Sequence, residues 1–309
     1  MTYDLIIIGS GPAGFTAGIY TSRANMSTLI IGGNPSGGQL ATTTGVENFP
    51  GFPEGIMGPD LINSMRKQAE RFGSEIIDKN VISIEGNFST GFKVKTEDGG
   101  EIESSAVLVC SGASPKWLGL ESEQRLRGKG VSSCATCDGF FFKDKVIAVI
   151  GGGDAAMEES LFLTKFATKV YVLIRGSEEN IRASKIMQDR ARANPKIEFM
   201  CNTEVQEVLG NDSVEGLRVV NNQTKEEKTM SDVGGMFVAI GHKPSSEFLK
   251  GFVDLDEKGY VKVIENTKTS KEGVFAAGDV VDYRYRQAVT AAGFGCMAAL
   301  DVEKFLSQK

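Results

Sequence analysis

Cys134-Ala135-Thr136-Cys137 sets two thiols two residues apart, a spacing that one turn of chain closes into a disulfide. Such pairs often hold one thiol of lowered pKa and act as exchange centres. Downstream, Val146-Ile147-Ala148-Val149-Ile150 runs into Gly151-Gly152-Gly153-Asp154-Ala155-Ala156. An apolar strand, a glycine turn and a helix in that order form a dinucleotide site. A second such turn opens the chain, Gly9-Ser10-Gly11-Pro12-Ala13-Gly14 directly after an apolar strand from Asp4 to Ile8. A dithiol between two nucleotide-binding units points to electrons passing from one cofactor, through another, to sulfur.

The first glycine turn has a physical reading position by position. Gly9 permits the sharp turn, Gly11 lets backbone approach a pyrophosphate, and Gly14 lets the helix sit close on the strand. Pro12 and Ala13 then open a helix to about Ala24 whose N-terminal amides face an anion. The next strand, Thr28 to Ile31, ends in Gly32-Gly33, and the acidic residue that usually holds a ribose is absent there. The ribose is held otherwise, or the site is not a standard NAD site. Ser36-Gly37-Gly38-Gln39-Leu40 and Thr42-Thr43-Thr44 read either as a loop over a flat cofactor or as a solvent-exposed polar loop. In the second turn Gly151, Gly153 and Ala156 lead into a helix from Asp154 to Phe166, and the strand Lys169 to Ile174 ends in Arg175. A basic residue there suits a 2'-phosphate and hence NADP(H), although Arg175 and Arg182 also read as surface cations beside Glu178-Glu179.

The totals bound the rest. At 309 residues the chain is expected to hold two domains, and a formal charge of -6 argues against a nucleic-acid role. No apolar stretch reaches the roughly 20 residues that span a bilayer, and the N-terminus lacks a signal peptide's basic region. Five cysteines, one close pair with Cys110, Cys201 and Cys296 scattered, fit a reducing, cytoplasmic compartment with one catalytic disulfide. The only histidine is His242, so a zinc site lacks ligands; His242 itself stands before Lys243-Pro244, where a hinge or cap role fits.

Periodicity supplies the remaining elements: a helix over Gly58 to Phe72, strands over Val81 to Glu85, Phe92 to Thr96, Glu101 to Glu103 and Ala106 to Cys110. The last of these ends in Ser111-Gly112-Ala113, a turn small enough to press backbone on a cofactor. Strands over Lys196 to Cys201, Glu204 to Leu209, Glu215 to Asn221, Glu227 to Met230 and Met236 to Ile240 follow, the last ending at Gly241-His242. Gly273 to Asp279 is a strand running into a Gly278-Asp279 turn whose carboxyl can bond a ribityl or ribose hydroxyl. Arg286-Gln287-Ala288 opens a final helix whose N-terminus suits an electron-rich flavin edge. The fold class expected is α/β: two Rossmann-like, three-layer dinucleotide-binding domains, with 115–242 inserted between 1–114 and 243–309.

With these segments in view, the chain resembles the low-molecular-weight thioredoxin reductases. The matching runs are Gly9 to Gly14, Gly37-Gly38-Gln39-Leu40, Val46-Glu47-Asn48-Phe49-Pro50-Gly51, Cys134 to Gly139, Gly151 to Asp154, Ala239-Ile240-Gly241-His242, Ala276 to Val280, and Tyr285-Arg286-Gln287-Ala288. The resemblance implies FAD in the split domain made of both chain ends and NADPH in the inserted domain, which also carries the disulfide. It implies that Cys137 faces the flavin, that Cys134 exchanges with thioredoxin, and that Asp138 is the general acid-base. It further implies a homodimer whose inserted domain swings between nicotinamide and disulfide. Ile174-Arg175-Gly176 departs from the family's usual His-Arg-Arg, which narrows the expected preference for NADPH over NADH.

Overall fold

The computed structural model describes residues 2–308. The chain forms two compact units, 1–114 with 243–309, and 115–242. The first opens with β1 (Thr2–Ile8), α1 (Pro12–Arg23) and β2 (Thr28–Ile31), followed by α2 (Gly58–Arg71) and β3 (Glu75–Ile77). A hairpin of β4 (Val81–Asn87) and β5 (Gly91–Thr96) leads into β6 (Glu101–Val109).

Glu101 to Glu103 and Ala106 to Cys110, expected as two strands, are in fact the single β6. Ser104 does not break it, because the buried hydroxyl donates to the Ala106 carbonyl at 2.8 Å. One edge of β6 pairs parallel with β1. The other edge is shared, its start paired antiparallel with β5 and its end taken by a strand from the far end of the chain.

In the inserted unit β7 (Val131–Ser132) precedes the one-turn helix α3 (Ala135–Asp138), then β8 (Val146–Ile150), α4 (Asp154–Leu163), β9 (Lys169–Ile174), α5 (Lys185–Arg192) and β10 (Ile197–Cys201). An antiparallel sheet of β11 (Thr203–Leu209), β12 (Gly216–Asn221) and β13 (Glu227–Met230) follows, then β14 (Val233–Val238). The parallel sheet runs β7-β14-β8-β9-β10. β14 starts before the expected Met236 because Gly234-Gly235 hides its start in the sequence; a Cβ on Gly235 would meet the Phe142 ring at 2.1 Å.

The chain then returns to the first unit with β15 (Val274–Ala276) and α6 (Ala288–Leu306), and the first sheet reads β3-β2-β1-β6-β5-β4 with β15 on β6. Continuous apolar strands result because both faces of the parallel part of each sheet are covered. In β1, Leu5 and Ile7 face the α1–α2–α6 core, while Ile6 and Ile8 face Leu249, Val253 and Val261. In β8, Ile147 and Val149 face α4 and α5, while Ala148 and Ile150 face the antiparallel sheet. Each unit is thus three layers deep, and β1 and β8 each end at a glycine turn.

Candidate active site

The two glycine turns divide their labour between packing and openness. Gly9 has φ of +116°, and a Cβ there would meet the Cys110 carbonyl oxygen at 2.1 Å; one on Gly14 would meet the Gly9 oxygen at 1.9 Å. Those two positions hold α1 on β1. A Cβ on Gly11 would instead meet nothing within 4 Å, and Gly11 caps α1 with no side-chain hydrogen bond. The amides of α1 therefore face open space with a net positive end. Gly112, after β6, is equally open, and the Cβ position of Gly38 lies 3.9 Å from the Gly11 Cα. Gln39 Nε2 donates to the Ala113 carbonyl at 2.5 Å, which ties the Gly38-Gln39-Leu40 turn to the end of β6. That turn is a short 3-10 helix, Gly38–Thr42, where an irregular loop was expected, and Leu40 packs on the core beneath it.

Two segments distant in sequence close the same unit. Gly278 sits against Ala13, its Cβ position 2.9 Å from the Ala13 Cβ. Asp279 follows with its Oδ1 buried and without a hydrogen-bond partner among the described residues. Burial first, then the neighbouring Asp282 charge, pushes the Asp279 carboxyl up to about 7, with Arg286 opposing. Gln287, expected inside the final helix, is instead its N-cap, and α6 starts at Ala288. The cause is Arg286, whose left-handed φ of +50° cannot continue into a helix. Asn48 Nδ2 reaches the Gln287 Oε1 at 3.4 Å. An orphaned carboxyl oxygen and a cradle that side chains at Gly11 and Gly112 would fill are what a polyhydroxylated, phosphorylated cofactor such as FAD requires.

The second turn repeats the pattern. A Cβ on Gly151 would meet the Ala239 oxygen at 2.4 Å, while Gly153 is open and caps α4 without a side-chain bond. Asp154 has its carboxylate committed to Ser184, accepting the backbone amide at 2.7 Å and the hydroxyl at 2.8 Å; these bonds hold it below the usual carboxylate range. Beside it the Gly152 carbonyl accepts the Arg182 and Ala183 amides at 2.8 and 2.9 Å. The loop bearing Arg182 is thereby pinned to the glycine turn that precedes Ala155. Arg175 is exposed at the end of β9, and Asn222 Nδ2 donates to its carbonyl at 2.7 Å. Glu178 is paired with Arg192 at 2.8 Å, which draws one acid of the pair towards α5. Gly241 is open, and its carbonyl accepts the Lys116 amide at 2.9 Å. His242 lies half-buried in the short strand His242–Pro244.

Cys134 and Cys137 are joined as a disulfide with their Cα atoms 5.3 Å apart. The geometry follows from α3: Cys134 is its N-cap, and the Cys137 amide donates to the Cys134 sulfur at 3.3 Å. Cys137 is exposed and Cys134 half-buried. Burial raises the Asp138 carboxyl above its ordinary range, and a hydrogen bond from the Ser132 hydroxyl partly opposes it. The same Ser132 oxygen accepts the Cys134 amide at 3.0 Å. Ser132, Asn222 and Asp282 were all missed in the sequence, since a lone polar residue in a strand or turn has no periodic signature. Cys110 is a buried core residue whose thiol is pushed far up by burial. Among the described residues no cluster of three or more His, Cys, Asp or Glu side chains is placed to hold a metal, and no helix is long and apolar enough to cross a membrane.

A disulfide one turn from a half-buried carboxyl, in a unit with its own glycine turn, is the equipment of a nucleotide-linked thiol oxidoreductase. The family described as pyridine nucleotide-disulphide oxidoreductase matches residues 3–295. The chain belongs to this family. Among its relatives is a thioredoxin reductase from Streptomyces coelicolor, 52% identical over 309 residues that cover 98% of this chain and 94% of that one. A bifunctional thioredoxin reductase/thioredoxin from Mycobacterium leprae is 51% identical, over 99% of this chain and 66% of its own length. The crystal structure of the Streptococcus pyogenes thioredoxin reductase superposes with a TM-score of 0.94 at 40% identity, covering 100% of this chain and 99% of that one. Relatives about half identical to this chain over nearly its whole length make it an oxidoreductase of the thioredoxin reductase type.

Proposed function

We propose that the chain is a thioredoxin-disulfide reductase that passes a hydride equivalent from NADPH by way of FAD to the Cys134–Cys137 disulfide and on to oxidised thioredoxin. The observation that carries the reading is that disulfide, capped on α3 with Asp138 half-buried beside it. FAD belongs with the first unit, where Gly11, Gly38 and Gly112 border open space and Asp279 keeps a buried carboxyl oxygen without a partner among the described residues. NADPH belongs with the second, on the amides of α4 and the Arg175 and Arg182 side chains. Bound FAD supplies a two-electron relay between nicotinamide and sulfur.

The protein's own groups do the rest. Two electrons and a proton open the disulfide to one thiol and one thiolate. Cys137 is the sulfur assigned to the flavin side, and Cys134, whose sulfur receives an amide N–H, is the nucleophile. The Cys134 thiolate attacks thioredoxin's disulfide, forming a mixed disulfide and expelling one thioredoxin thiolate. Cys137 then attacks Cys134, which restores the original bridge and releases the second thioredoxin sulfur. Asp138, kept protonated to higher pH by burial, gives the departing sulfur its proton and takes one from the attacking thiol. Thioredoxin as partner is supported by the Mycobacterium leprae relative, whose name joins both activities.

A homodimer is part of the same proposal. It is supported by apolar side chains left exposed on α1 and α6, Tyr20, Val289, Met297 and Leu300. A cytoplasmic location fits the three unpaired cysteines. Gly176 favours a second reading of the donor, in which NADH also serves, because one guanidinium fewer faces the 2'-phosphate. Steady-state reduction of a thioredoxin by the purified, FAD-loaded chain, with each nicotinamide in turn, tests the proposal. Rapid bleaching of the flavin without release of thioredoxin thiols would sink it.

A further inference from the structure

Asp282 is 7% exposed, yet no substrate chemistry is assigned to it. Its carboxylate accepts three successive backbone amides. Oδ1 takes those of Arg284 and Tyr285 at 2.8 Å each, and Oδ2 takes that of Arg286 at 3.0 Å. Arg286 is thereby held at φ of +50°, a region that residues with a Cβ avoid. The next residue, Gln287, is extended and caps α6, and its amide donates to the Thr290 hydroxyl oxygen at 3.3 Å. The position at which α6 begins, and the direction its amides face, follow from a turn stapled by one side chain. The Arg286 charge also opposes the rise that burial imposes on the Tyr260 hydroxyl, so the same turn sets that influence.

We infer that Asp282 is a positioning residue of the flavin site, stapling residues 284–286 so that Arg286, Gln287 and the α6 N-terminus meet the cofactor. The inference rests on the FAD assignment above and deepens it. Asp282 acts through the turn and not by contact with FAD. Only a carboxylate at this length fits. Asn would turn an amino group toward one of the three amides, and Glu keeps the charge while displacing both oxygens by a methylene.

The test compares Asp282→Asn and Asp282→Glu with Asp98→Asn, a turn-forming aspartate at the Thr96 to Gly100 turn. Each purified chain is stripped of flavin, and FAD is titrated back by quenching of its fluorescence. Both Asp282 variants are expected to raise the FAD dissociation constant about tenfold or more, since charge-assisted bonds are lost, while Asp98→Asn binds as the unaltered chain does. In Asp282→Glu the charge is retained, so its flavin midpoint potential is expected to fall as the α6 amides withdraw from the reduced ring. A purely structural role lowers the melting temperature and leaves the potential where it was. Unaltered FAD affinity in both variants, or an unmoved potential in Asp282→Glu, overturns the inference. Should either variant not be recovered folded, Asp282→Ser, which keeps one acceptor, is titrated in its place with the same criterion. An unaltered chain that binds no FAD would instead refute the cofactor assignment, so the two failures are distinct.

Discussion

The Ser132 hydroxyl, on the strand that precedes the disulfide, favours the ionised form of the Asp138 carboxyl, while its oxygen accepts the Cys134 amide at 3.0 Å. The Asp138 carboxyl, proposed above as the acid-base, and the N-cap cysteine are thus both set by one side chain of β7, itself buried. Ser132→Ala removes the donor that favours the ionised carboxyl, so the already raised Asp138 pKa moves further up. The alkaline limb of the pH profile for thioredoxin reduction is expected to shift upward by roughly half to one pH unit. Flavin reduction by the nicotinamide, measured by stopped flow, stays as it was. A limb that moves down, or not at all, means that Ser132 does not set the Asp138 equilibrium.

Cys134→Ser and Cys137→Ser are each expected to abolish thioredoxin turnover while the bound flavin is still reduced. The two differ in what remains. Cys137→Ser keeps the assigned nucleophile and, with a thioredoxin activated as a mixed disulfide and lacking its second cysteine, forms a stable mixed disulfide detectable on a non-reducing gel; Cys134→Ser forms none. The opposite pattern would exchange the roles of the two sulfurs.

Gly11 and Gly14 lie three residues apart and predict opposite failures. Gly11 has an ordinary φ of -75° and open space about it, so Gly11→Val leaves the melting temperature of the flavin-free chain nearly unchanged and blocks FAD binding. Gly14→Ala drives a carbon into the Gly9 carbonyl and destabilises the fold by about 1–3 kcal/mol. Thermal melts with and without FAD separate the two.

Arg175→Ala is expected to raise the Michaelis constant for NADPH about tenfold, the loss of a charged hydrogen bond to phosphate. The constant for NADH should barely move, because NADH has no 2'-phosphate. Equal changes for both nucleotides would place Arg175 elsewhere.

The sequence alone determined the parts whose signal is local. Continuous apolar runs such as Leu5 to Ile8 and Val146 to Ile150 name buried parallel strands, and glycines at fixed spacing name the turns after them. The disulfide was legible for the same reason, because a two-residue gap is closed by one turn of chain. Tertiary structure decided what depends on partners far along the chain. β6 is one strand because β1, β5 and β15 share its edges, and two of those partners come from opposite ends of the sequence. Gly14 is filled because the Gly9 carbonyl lies against it, while nothing lies against Gly11. The start of α6 is set by the Asp282 carboxylate, and the Asp138 proton by a hydroxyl on β7. A side-chain hydrogen bond has no period and no composition, so its effect on a neighbour becomes visible only once the chain has folded.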